Sequence, residues 1–212
     1  MTKRNKERRL EILAVIITGL LKFILMDWLD FRLFYVIAAC LFWFIYVYRK
    51  QKRDPGAIKS WGFQRAFTRS SFLFILPVAL VIIAGSIIYG TINQVSFVKW
   101  HILPVLVLYP AWGVIQQFMM VGLVAGNLQK LTDVKITESQ IILFTSFLFA
   151  LVHFPSIELM GYAFFIEIIF IKVYLRKPNL WILGLYHGWV STLFIYFVLG
   201  RDLWSELWMM FS

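Results

Sequence analysis

Five polar side chains stand where the surrounding sequence is apolar. Gln116 and Gln117 adjoin in LYPAWGVIQQFMMVGLVAG, His153 lies in FLFALVHFP, and His187 lies in LGLYHGWVSTL with Ser191 four residues after it. Amides and imidazoles are costly at membrane depth unless they find partners, so three such islands in three separate helices predict one shared polar site. An imidazole can take up or release a proton near neutral pH, whereas a carboxamide only donates and accepts hydrogen bonds. Proton transfer and hydrogen bonding within hydrocarbon are therefore the chemistry within reach.

Spacing indicates which elements must hold these groups. Phe149 and His153 are four residues apart, as are His187 and Ser191, so each pair lies on one helical face. Pro155 removes the helical partner of the Leu151 carbonyl and predicts that the helix ends or bends beside His153, which membrane proteins tolerate where backbone lines a cavity. Gly184 and Gly188, and likewise Gly122 and Gly126, have the small-x-x-x-small spacing that lets helices approach closely.

Composition sets the class. Of 212 residues, 61% are hydrophobic, 18% aromatic and 15% charged, which excludes an ordinary soluble domain. Crossing a hydrocarbon core of ~30 Å takes ~20 apolar residues, and runs near that length fall at 12–26, 31–48, 71–90, 102–125, 141–157, 161–175 and 180–199. The expected fold is all-α, a polytopic transmembrane bundle of about seven helices. Lys22 interrupts the first run, and Glu167 and Lys172 lie in the sixth.

The formal charge of +10 is distributed as a bilayer requires. Lys3, Arg4, Lys6, Arg8 and Arg9 precede the first run, seven basic residues fall between Arg49 and Arg69, and Lys130, Lys135, Lys172, Arg176 and Lys177 follow. These seventeen of the twenty-one Lys and Arg fall on one side of the predicted spans; Arg32, Lys99 and Arg201 fall on the other. By the positive-inside rule the N-terminus is cytoplasmic and, with seven spans, the C-terminus is outside. The expected surface partner is the anionic headgroups of the cytoplasmic leaflet, and no nucleic-acid partner is expected.

The basic start and first apolar run superficially resemble a signal peptide, but no A-x-A-like cleavage site follows, so the run reads as a retained helix. Cys40, the single cysteine, lies in the second run and reads as a small packing residue, without a disulfide framework or cysteine metal site. Residues 1–69 form an N-terminal helical hairpin and basic cytoplasmic loop, with a turn at Asp54-Pro55-Gly56. Residues 70–200 carry the polar islands, and 201–212 space Leu203, Trp204, Leu207, Trp208 and Phe211 as a short interfacial helix would.

The segments WGVIQQFMMVG, FLFALVHFP and YLRKPNLWILGLYHGWVSTLF resemble the three conserved helices of the CAAX protease and bacteriocin-processing (CPBP) family of intramembrane proteases, over roughly residues 70–200. That family's first motif is two glutamates followed four residues later by arginine and usually glycine. Its second is phenylalanine with a histidine four residues on, and its third is histidine with asparagine or a similar polar residue four on. The resemblance implies a water activated by glutamate and positioned by the histidines, with an oxyanion stabilised beside it. Here Gln116 and Gln117 occupy the glutamate positions and Val121 the arginine position, with Gly122 retained. Phe149 and His153 match the second motif, and His187 matches the third with Ser191 in place of asparagine. Neither glutamine can be a general base.

The site residues implied are His153, His187, Gln116, Gln117 and Ser191, with Phe149, Gly122 and Glu167 in support. As a hydrolase acting on a membrane-associated peptide or protein, the chain would use either histidine as base and the glutamines as oxyanion donors, or borrow Glu167 or Glu158 as the base. Glu167 also reads as a purely structural side chain, neutral or paired with a neighbouring helix. As a pseudoprotease it would keep the polar cavity and bind a membrane partner, as in bacteriocin self-immunity, without cutting. Two histidines and a carboxylate could hold zinc or serve a small transporter, but the scattered positions give no local ligand signature, so no metal and no cofactor are expected. The resemblance places the chain in a bacterial cytoplasmic membrane.

Overall fold

A computed structural model of the chain describes residues 2–95 and 100–209. The described residues are helical throughout their regular structure, with no strand among them. The helices are α1 (Lys3–Lys22), α2 (Arg32–Arg53), α3 (Ala57–Ser60), α4 (Thr68–Ile92), α5 (Ile102–Gln117), α6 (Gly126–Lys130), α7 (Glu138–Leu151), α8 (Ile157–Arg176), α9 (Leu180–Phe197) and α10 (Leu203–Met209). Two π-helical stretches, Phe23–Trp28 and Phe118–Ala125, follow α1 and α5.

Among the described residues four helical stretches are long and apolar enough to cross a bilayer: Arg32–Arg53, Thr68–Ile92, Ile102–Lys130 and Leu180–Phe197. The first, fifth and sixth of the seven predicted runs fall short of that measure. α1 gives its first two turns to charged residues, α7 has only 14 residues, and α8 carries Glu158, Glu167, Lys172 and Arg176. Cys40 sits on the exposed side of α2, not in packing, and Phe211 of the predicted interfacial helix lies outside the described residues.

The chain forms two compact units, Met1–Gln64 with Met119–Pro178, and Arg65–Phe118 with Asn179–Ser212. In the first, α1 and α2 run antiparallel and are joined by polar side chains along their length. Tyr35 Oη donates to the Thr18 carbonyl at 2.8 Å, Trp43 Nε1 to Thr18 Oγ1 at 3.3 Å, Tyr46 to Glu11, and Lys50 to Glu7 at 2.8 Å. The hydrogen bond from Lys50 holds Glu7 below its ordinary pKa. Glu11 is buried, and it also accepts from Asn127 Nδ2 of α6 at 2.6 Å, so its desolvation is offset by two donors. α7 begins with a capping box, Thr137 and Gln140 satisfying each other's backbone N–H, and packs antiparallel on α8.

In the second unit α9 is central, packed on α5 and α4. Small residues permit contact between backbones: a Cβ on Gly184 would meet Val114 Cα at 2.5 Å, and one on Gly188 would meet Pro110 Cα at 2.5 Å. The predicted Gly184/Gly188 seam is thus the α5–α9 contact itself, whereas Gly126 of the second predicted pair faces Tyr174 of α8. Pro110 cannot donate to the carbonyl of Leu106, four residues before it, and Trp189 Nε1 of α9 supplies that hydrogen bond at 3.2 Å. Asn179 caps α9, accepting from Ile182 N at 3.1 Å while its Nδ2 donates to Ala66 O and Thr68 Oγ1, both at 2.9 Å.

α10 is capped by Asp202, whose Oδ1 accepts from Trp204 N at 3.1 Å and from Tyr196 Oη at 2.6 Å, while Oδ2 accepts from Ser205 Oγ at 3.0 Å and lies 3.3 Å from His101 Nδ1. Burial opposes the charge of Asp202, but the bonds from Tyr196, Ser205 and His101 outweigh it and hold the carboxyl well below its usual range.

Gly188→Leu is expected to force α5 from α9 and destabilise the protein by about 1–3 kcal/mol, read as a lower melting temperature in detergent. An unchanged melting temperature would contradict the backbone contact. Trp189→Phe keeps the ring but strips the Leu106 carbonyl of its donor, and should cost about 1 kcal/mol in the same measurement. Because the pKa of Asp202 is depressed by folding, its contribution is complete above the ordinary aspartate range of about 4 and is lost only as pH falls below it. Trp204 fluorescence should therefore stay flat through pH ~4 and shift at neutral pH in Asp202→Asn; a transition centred on the ordinary aspartate range in the native protein would show that the carboxylate is not held this way.

Candidate functional site

α5 and α9 bring three of the predicted site residues together. His187 lies on the buried face of α9, 3% exposed, and α5 ends with Gln116 and the fully buried Gln117 facing it. Gln116 Oε1 is 3.0 Å from His187 Nε2, and Gln117 Nε2 is 3.4 Å from His187 Nδ1. An amide oxygen only accepts and an amide nitrogen only donates, so with these amide orientations Nε2 carries the imidazole proton and Nδ1 accepts. His187 is thereby held between two amides. Ser191 lies one turn further along α9 and is buried.

The acids of this unit are only Asp202 and Glu206. Asp202 is occupied with His101 and Tyr196, and Glu206 makes a two-pronged pair with Arg201 at 2.8 and 2.7 Å. Both acids of this unit are thus engaged at the α10 end.

Phe149 and His153 belong to the other unit. α7 stops at Leu151, in agreement with the break expected from Pro155, and His153 stands in the turn beyond it. Its Nδ1 is 2.8 Å from the Phe149 carbonyl oxygen, and its ring meets the Phe149 ring edge-on at 4.9 Å. Because a carbonyl accepts only, Nδ1 carries the proton here and Nε2 is the basic nitrogen. The His153 backbone N–H bonds the Ala150 carbonyl instead, so the imidazole takes over a carbonyl at the frayed helix end.

Of the two acids considered as substitute bases, Glu167 is fully buried in the middle of α8. Glu158 is not buried: it is exposed in the first turn of α8, where Ser156 Oγ donates to it at 3.4 Å. The helix begins at Ile157, immediately after the turn, and leaves Glu158 on its outer side, so the protected environment expected for a base is missing. Gly122 is buried within the π-helical stretch after α5. Among the described residues no three of His, Cys, Asp and Glu gather as a metal-binding group.

Two residues that support the site were not read from the sequence. Trp189 replaces the donor lost at Pro110, a role visible only when the two helices are aligned. Asn179 does have a sequence signal, an N-cap residue directly before an apolar run and directly after a proline.

No curated protein and no solved structure matches the chain. Residues 97–193, which hold both glutamines and both site histidines, match the family model described as type II CAAX prenyl endopeptidase Rce1-like, so a domain of that family lies in this chain.

Proposed function

We propose that this integral membrane protein is an intramembrane protease-like protein that binds a membrane-associated peptide or protein at His187 and does not cleave it. One observation carries the reading: both ring nitrogens of His187 are engaged by the amides of Gln116 and Gln117. A general base must offer its lone pair to a water, and here the lone pair of Nδ1 is directed at the Gln117 amide. The same amides and imidazole can exchange their mutual hydrogen bonds for those of a peptide backbone, whose N–H and C=O groups lack water in hydrocarbon. Such binding suits immunity to a membrane-active peptide or escort of a membrane protein. The positive-inside distribution supports an N-terminus in the cytoplasm, with anionic headgroups against the basic segments, and the resemblance supports a bacterial cytoplasmic membrane.

A second reading, hydrolysis with His153 as base, draws on the Nδ1–H tautomer imposed by the Phe149 carbonyl, which makes Nε2 the basic nitrogen.

Purified protein in liposomes, presented with membrane-tethered fluorescent peptides, should bind a subset saturably and release no cleavage product. His187→Ala and Gln117→Ala, checked for an intact helical spectrum, should weaken that binding about tenfold or more, the equivalent of about 1.4 kcal/mol. Turnover by the native protein that vanishes in His153→Ala would establish the second reading instead; turnover that vanishes only in His187→Ala would overturn the amide-held ring as an inactive site.

A further inference from the structure

We infer that α2 carries a binding site for one anionic phospholipid, separate from the histidine sites. Phe42, Ile45, Tyr46, Arg49, Lys52 and Arg53 line a groove of about 610 Å³. Their spacing puts them on one face of α2, and their order divides that face into an apolar half and a cationic half at the helix end. Phe42 and Ile45 are about half exposed, which suits contact with acyl chains.

Among the described residues the groove cations form no close ion pair, although the charge of Arg53 acts on Glu7. Lys50 turns to the α1 side, where it pairs with Glu7 at 2.8 Å and lies 3.8 Å from Glu11. Arg49 and Arg53 have no ion pair among the described residues, and Lys52 lies over the Tyr48 ring at 4.7 Å. Two guanidiniums one turn apart can share the oxygens of a phosphate, which Arg binds with two prongs. An acyl chain running from that phosphate would lie on the apolar half of the same stripe, so charge and apolar surface together select an amphipathic anion over inorganic phosphate. A basic helix end that merely reaches the headgroup layer would show no preference for this face.

Native mass spectrometry of the full-length protein, delipidated in mild detergent and titrated with phosphatidylglycerol or phosphatidylcholine, tests the site. One phosphatidylglycerol is expected to remain bound, at least tenfold more strongly than phosphatidylcholine. Arg49→Ala/Arg53→Ala should abolish the difference, while Lys3→Ala/Lys6→Ala, which removes the same charge elsewhere, should not. The milder Arg49→Gln/Arg53→Gln should reproduce the loss if the alanine variant fails to fold. Equal loss in the Lys3/Lys6 variant, displacement of the lipid by millimolar inorganic phosphate, or a dimer in place of the lipid adduct would each overturn the assignment.

Discussion

The approach of α5 to α9 is the constraint from which the glutamine–histidine arrangement follows. Gly184 and Gly188 bring the backbone of α9 against Val114 and Pro110 of α5, at a separation no Cβ would allow. Gln116 and Gln117 follow Val114 by less than a turn, and His187 lies between the two glycines. Short side-chain amides can then reach both edges of one imidazole. In lipid there is little hydrophobic drive between helices, so such contact depends on dispersion and on satisfying polar groups in place. The Trp189 bond to the carbonyl freed by Pro110 serves the second requirement at the same seam.

The two site histidines differ in what their neighbours make of them. His187 is bonded at both ring nitrogens by neutral amides, which involves no desolvated charge. His153 stands where α7 has ended, and its Nδ1–H restores a partner to a helix-end carbonyl. The same residue type thus presents opposite tautomers, with Nε2 protonated in one case and basic in the other. A protease-like scaffold with this pair of environments offers hydrogen-bonding capacity through amides and imidazoles.

Glu11, Lys50 and Asp202 obey the same rule of local satisfaction. Glu11 is buried but receives hydrogen bonds from Tyr46 and Asn127, and Lys50 lies near it. Asp202 both caps α10 and receives Tyr196, which ties the tail helix to the end of α9. Against this pattern the cationic end of α2 stands apart, since Arg49 and Arg53 line a groove and form no close ion pair among the described residues.

The sequence by itself determined the helical membrane class, the polar islands, the break after α7 and the glycine seam. Each is a local consequence of composition, spacing or proline chemistry: apolar runs of sufficient length, a missing N–H at Pro155, and small residues repeated at four-residue intervals. The family resemblance added which islands to compare. Tertiary structure decided the rest, because it depends on which face of one helix meets which face of another. That Gln116 and Gln117 share one histidine, that Trp189 answers Pro110, and that Glu11 meets Tyr46 and Asn127 are pairings across long stretches of chain. Glu158 shows the same boundary from the other side: its place beyond the Pro155 break makes it a candidate base, but its position in the first turn of α8 leaves it exposed.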